Sequence, residues 1–243
     1  QDLAEEYRDL NFRYFPYCIA EGIAQIKKPN PLENPDISLD APRRNILSCV
    51  NRFARFHRLY AFYLICRSPN LTNAKVSFMR LETRWPDENG YLQPIYLSFE
   101  DMIEVARIHE YYTPDFEAWL REEFPRLPRR IEELDNEDNK YDNWVKSEAF
   151  SESYANITTE TYVEYFVPTE KVVKPLLAGC IFMPTSCRSY MAKLERMGFD
   201  LKFEGIDYSE YDDLPRWQNR VERVIEIANR SEEHTSELQS QST

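Results

Sequence analysis

Hydrophobic and polar positions fall into short blocks whose period switches between that of a strand and that of a helix. Asn45 to Val50 is a compact apolar run suited to a buried strand. Leu59 to Arg67 is apolar enough for a packed helix, Pro69-Asn70 stops it, and Lys75 to Leu81 carries Val76, Phe78 and Leu81 for a second strand. Strand, helix, strand in this order is the unit of a parallel sheet.

The middle of the chain patterns less clearly. Trp85 to Gly90 reads as a turn, and Ser98 caps a helix carrying Met102, Val105, Ala106 and Ile108. Tyr111 to Phe124 holds another helix with Asp115 as a candidate cap, closed by Pro125 and Pro128, and Glu132 to Asn143 is acidic and loop-like. No repeat period is visible, which disfavours a solenoid or propeller.

From Ile157 to Met183 the chain reads as strand, polar turn, short helix, small-residue break at Ala178-Gly179, and buried strand. Ser186 then caps a helix from Cys187 to Met197, stopped by Gly198, with Tyr190, Met191, Leu194 and Met197 on one face. Phe199 to Phe203 reads as a short strand. A last helix opens near Asp213 to Pro215 and carries the stripe Val221, Val224, Ile225, Ala228. The expected fold is an α/β domain over residues 43–229, a Rossmann-like parallel sheet.

Both flanks are set apart. Residues 1–42 end in a connector rich in Pro and Asn, and are expected to be the remnant of an N-terminal acceptor domain plus linker. The chain starts at Gln1, which suggests that the true N-terminus is missing, so a signal or anchor could precede it. Residues 230–243 read like a translated sequencing adapter and are expected to be a disordered tail outside the fold.

Charge narrows the function. A net charge of −12 over 243 residues argues against nucleic acid or an anionic membrane as a general partner, so clustered basic residues stand out. The 5 cysteines are odd in number, lack C-x-x-C spacing and mostly sit in apolar runs, as expected of reduced thiols in a cytoplasmic protein. No run approaches the ~20 apolar residues of a membrane span. With His234 set aside in the tail, His57 and His109 are too few for a histidine-built zinc site, and no metal or cofactor is expected.

Two constellations carry candidate chemistry. Arg52, Arg55, His57 and Arg58 follow the first strand at the start of a helix. In a doubly wound sheet that is the ligand edge, and arginine forks suit a diphosphate. Seen alone, the cluster is a solvated basic helix start; positive charge there opposes the helix dipole, a conflict that a bound anion relieves. Thr169-Glu170-Lys171 opens the short helix, where unpaired N–H groups favour an anion. Lys171 could place a charge on phosphate, and Glu170 could accept from ribose hydroxyls. Seen alone, this is a capped helix with an exposed charge pair. Thr159-Glu160-Thr161-Tyr162, at a strand end, would reach the same edge. The acidic loop Asp207 to Asp213 could hold a cation, although a solvated loop is the better reading.

Asn51-Arg52-x-x-Arg55-x-His57-Arg58, followed by Thr159-Glu160-Thr161-Tyr162, Thr169-Glu170-Lys171-x-x-Lys174-Pro175-Leu176, Leu194-x-x-Met197-Gly198-Phe199 and Ile206-Asp207-Tyr208-Ser209-x-Tyr211-Asp212, resembles glycosyltransferase-like proteins of marine phages and bacteria. More distantly, Phe166 to Lys171 with Leu177-Ala178-Gly179 resembles the donor motif of α-1,3-fucosyltransferases. It departs from that motif at Thr159-Glu160-Thr161, where Glu-Asn-Ser is usual, and at Pro168. The resemblance implies the C-terminal half of a two-Rossmann (GT-B) fold with a truncated N-terminal part. It places Arg52 or Arg55 on the donor diphosphate, Glu170 on the ribose and Lys171 on phosphate.

The expected function is transfer of a sugar from a nucleotide sugar to a glycan or other hydroxyl acceptor, with donor binding by Arg52, Arg55, Arg58, Glu160, Thr169, Glu170 and Lys171. No catalytic residue is assigned. The resemblance puts the base in the N-terminal half, and nothing selects among Glu5, Glu6 and Glu21, so the chain could bind a donor without turning it over. His57 reads as a phosphate donor or a packing residue rather than a base. The alternative is a non-catalytic glycan- or protein-binding module on the same scaffold, to which 16 Tyr and 14 Phe would lend stacking surfaces. A nucleotidyl- or sulfotransferase is disfavoured because none of the 5 Gly forms a phosphate loop.

Overall fold

The computed structural model describes residues 43–71, 73–83, 94–129, 148–203 and 206–241. Five strands form one sheet: β1 (Asn45–Phe53), β2 (Lys75–Thr83), β3 (Pro94–Tyr96), β4 (Ser153–Thr159) and β5 (Ile181–Thr185). Their order is β3-β2-β1-β4-β5. β2, β1, β4 and β5 run parallel, with Leu47 beside Ala155 and Ala155 beside Ile181, and β3 adds an antiparallel edge. This four-strand parallel α/β sheet is compatible with a Rossmann-like fold.

The helices are α1 (Phe56–Arg67), α2 (Phe99–Ile108), α3 (Pro114–Glu123), α4 (Glu148–Ser151), α5 (Glu170–Leu177), α6 (Tyr190–Arg196) and α7 (Trp217–Gln241). Strand side chains alternate between two cores, as a period of two demands. Leu47, Cys49, Val76, Phe78, Ala155, Ile157 and Met183 join the core under α1, α2, α3 and α7. Val50 packs with Phe150 and Ala178 on the other face, and Phe182 packs there with Val172, Tyr190 and Leu194. The crossovers through α1 and α5 therefore lie on opposite faces, and both leave from the carboxyl edge between β1 and β4.

Local chemistry accounts for most boundaries. Ser98 caps α2 in a reciprocal box with Asp101, as its sequence predicts. α3 differs: Thr113 is its cap, accepting from the Phe116 amide, because Pro114 takes the first helical position and leaves Asp115 inside the first turn. β1 extends through Phe53, so Arg52 belongs to the strand rather than to the helix start, and α1 begins at Phe56. α6 begins at Tyr190, not Cys187. Its first amides are capped from afar by Asp212, which accepts from Met191 and Ala192, while Ser186 donates to the Tyr162 carbonyl instead. Phe199 to Phe203 is irregular rather than a strand, its aromatics packing beside α6 without a ladder partner.

Helix α7 opens at Trp217 and its backbone continues to Gln241, through the segment set aside as a tail. Glu, Gln and Leu there are good helix formers, and propagation from an existing helix is easier than nucleation. Residues 1–42, the turn at Trp85–Gly90 and the acidic stretch Glu132–Asn143 lie outside the described residues, as do Cys18, Glu5, Glu6 and Glu21. Among the described residues no helix is long and apolar enough to cross a membrane.

The larger core is held by aromatics. The Phe62 ring stacks on Phe78 at 4.9 Å and meets Trp119 edge-on at 5.6 Å, with neither phenylalanine exposed. Phe62→Ala is expected to cost about 3–5 kcal/mol through lost burial and a cavity. A fall in the denaturant midpoint at unchanged slope is the measurement that checks it.

Candidate functional site

Because β1 lies between β2 and β4, the chain leaves the sheet in opposite directions at the carboxyl ends of β1 and β4. Ligands of doubly wound sheets bind in the crevice this opens. α1 and α5 both start there, so two helix N-termini with positive dipole ends face one edge.

Glu160, the first residue after β4, is fully buried. Its carboxylate accepts from the Thr169 hydroxyl (2.8 Å), the Thr169 amide (3.2 Å), the Thr161 amide (3.3 Å) and the Tyr190 hydroxyl (2.7 Å). One side chain thereby ties the two ends of the 161–168 loop together and fixes Thr169, which in turn caps α5 by accepting from the Lys171 amide. Burial, with the carboxylate of Glu160 beside it, raises the Tyr190 hydroxyl well above its usual range, so it serves as a donor. The Glu160 carbonyl accepts from Nε2 of His57 at 2.7 Å. Nδ1 of His57 is buried and makes no hydrogen bond among the described residues.

The sequence-derived site residues sort into three groups. Arg58 and Lys171 converge: Nη2 of Arg58 donates to the Thr159 carbonyl at 3.2 Å and Nζ of Lys171 to the same oxygen at 3.4 Å, one from α1 and the other from α5. Arg58 also reaches the carbonyls of Phe53 and Glu160, both at 3.4 Å, and is almost fully buried, whereas Lys171 is half-buried. Arg55, at the N-cap of α1, makes no capping bond, and its guanidinium lies 5.3 Å from the centre of the exposed Tyr162 ring. Glu160 and Thr169 form the frame just described, with the Glu160 oxygens engaged by the chain itself. Arg52 and Glu170 sit at the edge on β1 and α5, and their side chains lie outside the described residues.

Several participants are not evident from sequence. The Thr159 hydroxyl bonds to Asn51 across the strand ends. A small cleft of about 30 Å³, room for one water-sized group, lies between β4 and α5, lined by Val50, Phe150, Asn156, Thr158, Lys171 and Lys174. Tyr162 and Tyr165 stand exposed on the loop with ring centres 6.2 Å apart. Arg220 of α7, 4% exposed, donates to the carbonyls of Val163 (3.0 Å), Ser186 (2.9 Å), Leu214 (2.6 Å) and Pro215 (3.2 Å), which fixes the loop from below. Asn51, Thr159, Tyr162 and Lys174 stand in the motifs quoted from the sequence, whereas Tyr190 was read only as an apolar helix position, although a buried tyrosine needs a partner for its hydroxyl. The loop Asp207 to Asp213 is structural: Asp207 caps a 3-10 turn and Asp212 caps α6. Among the described residues no group of His, Cys, Asp and Glu is placed to hold a metal ion. The Cys49 thiol, pushed up to about 12 mainly by burial, is chemically quiet.

No family model, no curated protein and no solved structure matches the chain.

Burial foremost, then Arg58, holds His57 well below its ordinary 6.5, so the folded protein keeps it neutral. A depressed histidine means that only the unfolded chain takes up the proton as pH falls through about 6.5. Its contribution to stability is therefore full above that pH and is lost below it, by up to about 1.4 kcal/mol per pH unit. His109, also lowered by burial, acts in the same direction. His57→Gln, which keeps a donor for the Glu160 carbonyl, is expected to flatten the decline of stability below pH 6.5, read by denaturation at several pH values.

Proposed function

We propose that the domain binds the diphosphate of a nucleotide sugar at the crevice between β1 and β4, and that the protein is a GT-B type glycosyltransferase acting on a glycan or other hydroxyl acceptor. The observation that carries the reading is the meeting of Arg58 and Lys171 on the Thr159 carbonyl, between two helix N-termini. A phosphate at this meeting point would accept charge-assisted hydrogen bonds from both cations. Lys171 is the more accessible of the two and would turn onto the anion. Arg58 would supply field from behind the strand end.

In such a reaction the diphosphate leaves with negative charge, and fixed cations and helix amides stabilise it where it develops. Arg55 and the α1 amides would face the same charge. The resemblance to the fucosyltransferase donor motif supports the reading, since it implies a ribose contact for Glu170 and a phosphate contact for Lys171. The acceptor base would come from outside the described residues.

One observation favours the non-catalytic alternative. Tyr162 and Tyr165 present exposed rings beside Arg55, a surface that suits the apolar face of a sugar without any nucleotide.

A nucleoside diphosphate at a hundred times its dissociation constant is expected to stabilise the protein by about 2.7 kcal/mol, seen as a rise of several degrees in melting temperature. Lys171→Ala should abolish the rise. Equal stabilisation of wild type and variant would place the nucleotide elsewhere, and a response to saccharide alone would favour the binding module.

A further inference from the structure

Given the donor site proposed above, we infer that the loop joining β4 to α5 is the seat of the acceptor, and that the acceptor is a neutral saccharide stacked on Tyr162 and Tyr165. Residues 161–168 leave the end of β4 and return at the start of α5, so the loop borders the crevice assigned to the diphosphate. It displays Tyr162 (42% exposed), Tyr165 (57%) and Val167 (37%), while Val163 is buried. A group of apolar side chains left in water on a loop at a ligand edge marks a surface that something covers. The main chain that carries the first ring is held at three successive residues. The Thr161 amide donates to Glu160, the Tyr162 carbonyl accepts from Ser186 at 3.2 Å, and the Val163 carbonyl accepts from Arg220 at 3.0 Å. A ligand therefore meets a surface that is already ordered, and little loop entropy is lost on binding.

The two rings are inclined at 76° with centres 6.2 Å apart, a corner rather than a flat patch. A pyranose packs its C–H face on one ring, and the other ring closes its side. Size excludes a protein partner. A tyrosine offers at most about 250 Å² when wholly covered. Two partly exposed tyrosines and a valine fall short of the about 800 Å² that each partner gives a stable protein interface. Charge narrows the ligand further. Glu164, exposed between the tyrosines, accepts from sugar hydroxyls and repels an anionic sugar. Arg55 joins the corner to the donor. It stands at the start of α1 with its guanidinium 5.3 Å from the Tyr162 ring centre, and its Nε is buried without a hydrogen-bond partner among the described residues. One cation beside both the crevice and the stacking ring sets an acceptor hydroxyl close to the diphosphate. In the transfer, the acceptor oxygen bonds to the anomeric carbon as that carbon's bond to the diphosphate oxygen breaks. The diphosphate keeps the electron pair, and the hydroxyl proton passes to the base outside the described residues.

The test follows lactose, cellobiose and a glucuronate-bearing disaccharide by saturation-transfer NMR titration against the full chain, with and without each common nucleoside diphosphate. A neutral disaccharide is expected to bind together with the nucleoside diphosphate and not to displace it. Tyr165→Ala should weaken the disaccharide about tenfold while leaving the nucleoside diphosphate unaffected, and Tyr165→Phe should keep both. The glucuronate-bearing sugar should bind more weakly than the neutral ones, and Glu164→Gln should remove that difference. Both side chains are exposed, and an unchanged melting temperature shows that the variants fold. A disaccharide that binds folded Tyr165→Ala as well as wild type, or that the nucleoside diphosphate displaces, overturns the acceptor seat. Equal binding of neutral and anionic sugars by wild type overturns the selection by Glu164. A nucleotide response with no saccharide signal overturns the seat and leaves the proposed function standing. Saccharide binding through Tyr165 with no response to any nucleotide overturns the proposed function, and the acceptor role with it, in favour of a sugar-binding module. No response to either overturns both.

Discussion

A carboxylate removed from water is tolerated only where donors replace the hydration it gives up, and the candidate site is built around one such group. Glu160 has no exposed surface, and its two side-chain oxygens receive the Thr161 and Thr169 amides and the Thr169 and Tyr190 hydroxyls. Its backbone oxygen receives His57 and Arg58. The end of β4, the start of α1, the cap of α5 and the start of α6 are therefore referenced to a single residue. Removing the carboxylate would leave the Tyr190 hydroxyl buried without its acceptor and release the cap of α5 together.

Topology supplies what that residue organises. Parallel strands that depart in opposite directions from a central pair bring two helix starts to one edge without any further interaction. Cations carried in the first turn of each helix, Arg58 and Lys171, then meet on the carbonyl between them. The concentration of positive potential in an otherwise acidic protein follows from the order of the strands as much as from the residues.

The parts legible in the sequence were those with local causes. Thr169 caps α5, Ala178-Gly179 ends it and β5 follows, because cap chemistry, left-handed glycine and apolar runs act over a few residues. The placing of Thr159, Glu160 and Lys171 at the edge of Arg55 and Arg58 was legible for a related reason: the first two close a strand, and Lys171 opens the helix that the following loop leads into. What the sequence did not carry was the direction of the charged side chains. Arg58 and Glu160 turn inward because partners 9, 30 and 101 positions away accept or donate to them, and no periodicity encodes that. Asp212 displaced the nearer serines as the cap of α6 through a tertiary contact. β3, with 3 residues, was too short to leave a pattern.

Arg220 grips the loop at Val163 and its neighbours at Ser186, Leu214 and Pro215 through carbonyl oxygens alone. Carbonyls are common to every residue, so the grip is indifferent to which side chains the loop displays. Tyr162, Glu164 and Tyr165 can be exchanged by mutation without loosening the backbone that presents them. The scaffold and the ligand-facing surface are thus free to evolve separately, the first held by Arg220 together with Glu160 and Ser186 and the second open to change in what it recognises.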